Sequence, residues 1–296
     1  MNGDGFKFRS RMRGYTDHAV TVLSILATVL VVAPLVAIFA YLVFKGASSL
    51  NLAFFTQIPK PVGEAGGGMA NAILGSALLL CVASLMGIPI GIGGGIFLAE
   101  YGRGTKLANG IRFTADVLNG VPSIVMGVAV YALIVQPKIS WLPFTGHFSG
   151  FSGGVALGIM MIPTVCRTTE EMLLMVPHAV REAALGLGVP NWRSVLSITV
   201  KTASPGIITG CMLAFARVAG ETAPLIFTAL GNQFWSANLN QPIAALPLQI
   251  YVYALSPYDD WHRLAWAGSL VLIVLIVLAV SLVRYVTSRG VLKGAS

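Results

Sequence analysis

The chain has 296 residues, 56% of them hydrophobic and only 10% charged, with a mean hydropathy of +0.81 and a formal net charge of +8. That composition excludes the soluble globular class and places the chain among integral membrane proteins, with lipid as its main solvent. A spanning segment must satisfy its own backbone there, and the apolar runs are too long and continuous for barrel strands, so the expected fold is all-α.

Residues 1–18 form a basic leading tail carrying Lys7, Arg9, Arg11 and Arg13. The first expected span, 19–44, holds no charged side chain over 26 residues. This run exceeds the h-region of a signal peptide and has no small-residue cleavage site behind it, so an uncleaved helix is expected. The second, 65–99, is uncharged over 35 residues, well beyond the ~20 needed to span. Its glycine-rich end, GIPIGIGGGIF at 87–97, has no strand before it, and close helix packing by small residues is the better reading than phosphate binding.

A third span is expected at 113–135 and a fourth at 153–176, the latter carrying Arg167, Glu170 and Glu171 towards its end. A fifth, 203–230, contains Arg217 and Glu221, one helical turn apart in an otherwise apolar stretch. Charges there need a function or a partner, because an Arg at a helix centre costs about 2.5–3.5 kcal/mol to insert. Residues 231–263 include the apolar 243–255, long enough for a re-entrant or interfacial helix but not for a span. Trp235, Tyr253, Tyr258 and Trp261 fit an aromatic belt at that boundary. The sixth span is 264–285, followed by the tail 286–296. Gly120, Val121 and Pro122 in the third span, Pro163 in the fourth and Pro224 in the fifth each interrupt the helical ladder, as bending points or as kinks fixed by packing.

Positive charge alternates along the connections. Beyond the N-terminal cluster, Arg103, Lys106 and Arg112 separate spans two and three, Arg181, Arg193 and Lys201 lie between four and five, and Arg284, Arg289 and Lys293 close the chain. The other connections hold little beyond Lys45, Lys60, Lys138 and Arg263. By the positive-inside rule both termini are cytoplasmic, and the net charge belongs to membrane flanks rather than to nucleic-acid binding.

None of the seven lysines follows a glycine, so the chain has no P-loop for ATP. Cys81, Cys166 and Cys211 read as small hydrophobes in or beside spans. His18, His147, His178 and His262 are scattered over both sides, and no metal site is expected.

The polar connection 177–201 reads as two short helices: Pro177 opens the first, Gly188 ends it in the left-handed region, Pro190 prevents continuation and Asn191 caps the next. Ala183 and Ala184 give the first helix a small-residue surface that lets another protein approach. Glu182, Ala183, Ala184, Gly188 and Ile198, at this spacing, resemble the EAA loop of permease subunits of bacterial binding-protein-dependent ABC importers. Thr199, Val200 and Lys201 depart from the pattern's last turn.

RTTEEMLLMVP at 167–177, ARVAGETAPLIFTAL at 216–230 and QPIAALPLQIY at 241–251 narrow the resemblance to the PstA-type permeases of phosphate importers. It covers about 69–285 and implies a type I importer fold with six spans. It also implies a heterodimer with a PstC-like permease, ATP bound by two PstB-like ATPase subunits, a PstS-like phosphate-binding protein, and a multi-pass place in the bacterial inner membrane. Phosphate at neutral pH is an oxyanion matched by a planar guanidinium. Arg217 is therefore the first candidate for the substrate path and Arg167 the second, with Glu221 orienting Arg217 or accepting a proton. The competing reading of Arg217 is a structural bridge to Glu221, Glu170 or Glu171. A permease for sulfate or molybdate, or an ion-driven secondary transporter, remain as alternatives.

Overall fold

The computed structural model describes residues 3–61, 64, 66–137 and 145–293, with the backbone course alone for 3–15 and 288–293. Ala65 and Lys138, used above, lie outside the described residues.

In chain order the helices are α1 (Gly3–Ala47), α2 (Leu52–Thr56), α3 (Ala70–Ile96), α4 (Lys106–Gly120), α5 (Ser123–Val130), α6 (Gly150–Leu174), α7 (His178–Gly186), α8 (Asn191–Ser194), α9 (Val200–Ala219), α10 (Ala223–Ile226), α11 (Leu246–Ala254) and α12 (Asp259–Lys293). Wide π turns continue α3 through Phe97–Tyr101, α5 through Tyr131–Val135 and α8 through Val195–Thr199 into α9. Five helical segments are long and apolar enough to cross a membrane: Thr16–Ala47, Ala70–Tyr101, Gly150–Leu174, Asn191–Ala219 and Asp259–Thr287. Lys106–Gly120 and Ser123–Val135 pass the same test only as a pair bent by 108°, a broken sixth span or a re-entrant loop.

Two expected spans are thereby corrected. In the third, the helix stops before Pro122, whose ring would strike the carbonyl of Leu118 in a continued helix. In the fifth, α9 ends at Ala219 rather than running to 230. Pro224 would meet the carbonyl of Gly220, and the chain turns there instead, starting α10 with Pro224 in its first turn. Pro163, by contrast, sits inside an unbroken α6.

The core is the α3–α6 contact, with α9 laid against both. Gly87, Gly91 and Gly95 recur every fourth residue on one face of α3, the spacing that puts them in a row. A Cβ on Gly91 would lie 2.7 Å from Val165 Cβ and 3.1 Å from the Ile162 carbonyl; on Gly95 it would lie 2.5 Å from Thr169 Cβ. From the other side, Gly154 and Gly158 of α6 receive Val82 and Met86. The glycine-rich segment is thus a close helix contact, which in lipid is where packing energy comes from.

The expected helix in 243–255 is α11, which packs on α12 and α3. Tyr253 is buried in that packing and stacks on Trp261 at 4.4 Å between ring centroids, so it is a core residue rather than a boundary anchor. Burial pushes its phenol above the ordinary pKa, partly offset by the hydrogen bond from Gln249. Tyr258 and Trp235 are exposed, as an interfacial belt requires. The long α1 touches α12 and otherwise presents its apolar sides outward.

Candidate functional site

Arg217 stands in the last turn of α9 and Glu221 just beyond it, past Gly220. They are not helical i,i+4 partners, because the helix has already ended. Arg217 is exposed, and among the described residues its guanidinium has neither a hydrogen bond nor an ion pair. Glu221 is half-buried in a narrow cleft otherwise walled by residues such as Leu79, Leu157, Leu225 and Pro247, also without a charged partner among the described residues. The helix break that creates this place is held by packing: Gly127 of α5 admits Pro224, whose Cα would lie 2.6 Å from an added Cβ.

Arg167 has different surroundings. Its Nη1 donates to Glu170 Oε2 at 3.0 Å, and its Nε lies 3.0 Å from Asp116 Oδ1 on α4. Glu170 is 3% exposed and accepts at its other oxygen from Arg112 Nε at 2.6 Å. Arg112 spends its remaining donors on the Leu98 carbonyl (3.1 Å) and Asn109 Oδ1 (3.2 Å). Thr164 and Asn119 add a hydrogen bond between the same two helices. The cluster holds two cations and two anions, so it is neutral as a set and clasps α4 to α6. Glu170 is thus engaged by Arg112 and Arg167 and not by Arg217, and Glu171 is exposed with no bridge to Arg217.

The two arginines sit at different depths. Glu221 shares its cleft with Leu157 of α6, and Arg167 lies ten residues further along that helix, about 15 Å at 1.5 Å per residue. Arg217 lies sixteen residues beyond Lys201, about 24 Å along α9 from that basic end. The two arginines are therefore separate features along the helices, not one cluster.

The connection after α6 folds as α7 and α8. Pro177 is the N-cap of α7, and Gly188 has φ +77. Val189 donates to the Ala184 carbonyl and Gly188 to that of Leu185, both orphan acceptors of the last turn, which is the Schellman arrangement. The second cap differs from expectation by one residue: Pro190 holds that position and Asn191 begins α8. Arg181 anchors this hairpin. Its Nη1 donates to the Val176 carbonyl (2.8 Å), its Nη2 to that of Leu173 (2.7 Å) and to Glu100 Oε1 (2.7 Å), and its Nε to the same oxygen (3.2 Å).

Of the expected coupling residues, Glu182, Ala183 and Gly188 are exposed, Ile198 is partly covered in the π turn, and Ala184 faces inward at 4% exposure, so the outward surface is not a pair of alanines. Leu185, Leu187 and Trp192 project from it instead, Leu187 at 84% exposure. Large apolar side chains left bare in a polar connection mark an interaction surface. Their signal in the sequence was apolar residues in a connection otherwise polar.

The fold, with its bent pair, the α7–α8 hairpin and the short helix α11, is that of type I ABC importer permeases. The inward-facing MetNI methionine ABC transporter superposes with a TM-score of 0.54 at 18% identity, covering 76% of this chain and 96% of that one. The family model for the binding-protein-dependent transport system inner membrane component matches residues 91–290. The chain belongs to this family of inner-membrane permeases, on its PstA branch. It is 48% identical over 247 residues to the phosphate transport system permease protein PstA of Yersinia pestis, covering 83% of this chain and 81% of that protein. With PstA of Xylella fastidiosa it shares 48% over 237 residues, 80% of each chain, and with PstA 1 of Mycobacterium tuberculosis 37% over 230 residues, 75% and 71–72%.

Proposed function

We infer that this chain is the PstA-type permease subunit of an ATP-driven phosphate importer, a multi-pass inner-membrane protein without an ATPase site of its own. Its relatives carry phosphate in their names, and the charge on the path suits an oxyanion. In this reading both termini are cytoplasmic and 69–285 is the transport domain. The connection 177–201 docks on the ATPase, with Glu182, Ala183, Gly188, Leu187 and Trp192 at the contact and Ala184 and Ile198 behind it. A PstC-like permease completes the path, two PstB-like subunits bind and hydrolyse ATP, and a PstS-like protein delivers phosphate to the outer face around α11.

The observation that carries the reading is Arg217. A guanidinium that has no partner among the described residues, at a helix break in a chain built for lipid, is costly unless something anionic visits it, and phosphate offers oxygens for bidentate donation. Glu221, four residues on but past the helix end and without contact to Arg217, would take a proton from the passing anion rather than orient the arginine. Arg167 is the second contact, deeper and partly neutralised.

Arg217→Gln is the test. Phosphate uptake should fall at least tenfold while the amount of protein in the membrane stays normal. Undiminished uptake at normal abundance would refute the contact.

A further inference from the structure

Within the α4–α6 clasp the two carboxylates are unequal. Glu170 is buried and uses both oxygens, one on each arginine. Asp116 is 55% exposed and, among the described residues, meets only Arg167, at 3.0 Å from Nε but without a hydrogen bond. Arg112 has every nitrogen engaged, whereas Arg167 Nη2 has no partner among the described residues. The Nε and Nη2 donors form one edge of a guanidinium, the edge that grips an oxyanion in bidentate fashion. At Arg167 that edge is covered, among the described residues, by a carboxylate on an exposed side chain that charge alone keeps in place.

We propose that Asp116 is a displaceable counter-ion on Arg167: it neutralises the Nε/Nη2 edge when no substrate is present and yields it to a passing phosphate. Glu170 fixes the opposite edge throughout. This rests on the reading of Arg167 as an anion contact. The arrangement answers a requirement of transport, that a site attract the anion and still release it. A competing carboxylate on the same helix contact returns to the arginine as the phosphate leaves, so the anion is never held by an uncompensated cation. The position of Asp116 on α4, on the basic side of the 108° bend, places the competitor on the bent pair rather than on α6, so movement of that arm changes its grip on Arg167.

The test is equilibrium binding of radiolabelled inorganic phosphate to the assembled transporter in nanodiscs, without ATP or binding protein, alongside uptake rates in proteoliposomes. Asp116→Asn is nearly isosteric and exposed, so folding is preserved, and membrane abundance checks it. Binding should tighten about two- to fivefold, the factor expected for loss of one exposed competing ion pair, while the maximal uptake rate falls. Asp116→Glu should restore both. A merely structural contact would weaken binding and uptake together. If Arg167→Gln removes binding but Asp116→Asn leaves it unchanged or weaker, the counter-ion role is overturned alone. If binding is indifferent to Arg167→Gln, the anion contact itself is overturned, and the counter-ion role with it.

Discussion

Replacing Arg181 should separate ATP hydrolysis from transport. Its side chain is 13% exposed and that of its partner Glu100 is 8% exposed. It joins three things at once: the end of α3, the last carbonyls of α6 and the start of α7. Arg181→Gln keeps some donor capacity on a shorter side chain but strands Glu100 as a buried, unpaired carboxylate and deprives the Leu173 and Val176 carbonyls of their Arg181 donor. Breaking a buried pair from one side costs about 3–5 kcal/mol. If half of that falls on the docked position of α7, its population changes by roughly tenfold or more, since about 1.4 kcal/mol is one decade. The assay is the ratio of phosphate taken up to ATP hydrolysed by the reconstituted complex, with protease cleavage in 186–190 reporting on the hairpin. Uptake per ATP should fall several-fold and cleavage should quicken, with total ATPase activity falling less. Glu100→Gln combined with Arg181→Gln should recover part of the loss, because no buried charge is then stranded. A normal ratio and normal protease resistance in Arg181→Gln would refute the idea that this clasp transmits the motion.

Two further expectations concern the contact faces. Gly91→Leu puts a side chain where a Cβ alone already reaches 2.7 Å from Val165, so α3 and α6 must part; a loss of about 1–3 kcal/mol or more should appear as a lower unfolding temperature of the purified complex, and an unchanged temperature would count against the close packing. Glu182→Lys changes an exposed residue of α7 without touching the Arg181 anchor, so it should weaken capture of the ATPase subunit while leaving permease abundance normal; unchanged association and uptake would remove Glu182 from the contact.

Much of this fold is legible in the sequence because lipid allows little choice. The uncharged stretches around 19–44 and 65–99 must be helices, and the glycines of 87–97 forecast a close helix contact, whose partner the structure identifies as α6. Gly188 before Pro190 forecast its left-handed cap. What was not legible depends on neighbours. Pro122 and Pro224 break their helices while Pro163 does not, although all three lack the same donor, because surrounding helices decide whether a freed carbonyl is satisfied in place. For the same reason Arg217 and Glu221 look like helical partners on paper and lie on either side of a helix end in space. The pairing of Asp116 with Arg167 and of Glu100 with Arg181 joins residues 51 and 81 positions apart, which no local pattern encodes. Leu187 and Trp192 were passed over because an apolar residue in a connection reads as filler until its exposure is seen.

The claim that this permease imports phosphate at the expense of ATP is tested most directly in proteoliposomes containing the chain, its partner permease, the ATPase subunits and the binding protein. Radiolabelled phosphate uptake is followed with and without ATP at the ATPase face, and with excess sulfate. Uptake that requires ATP and is indifferent to sulfate is the predicted result. Uptake driven by an ion gradient without ATP, or ATP-dependent uptake of sulfate but not phosphate, would contradict it.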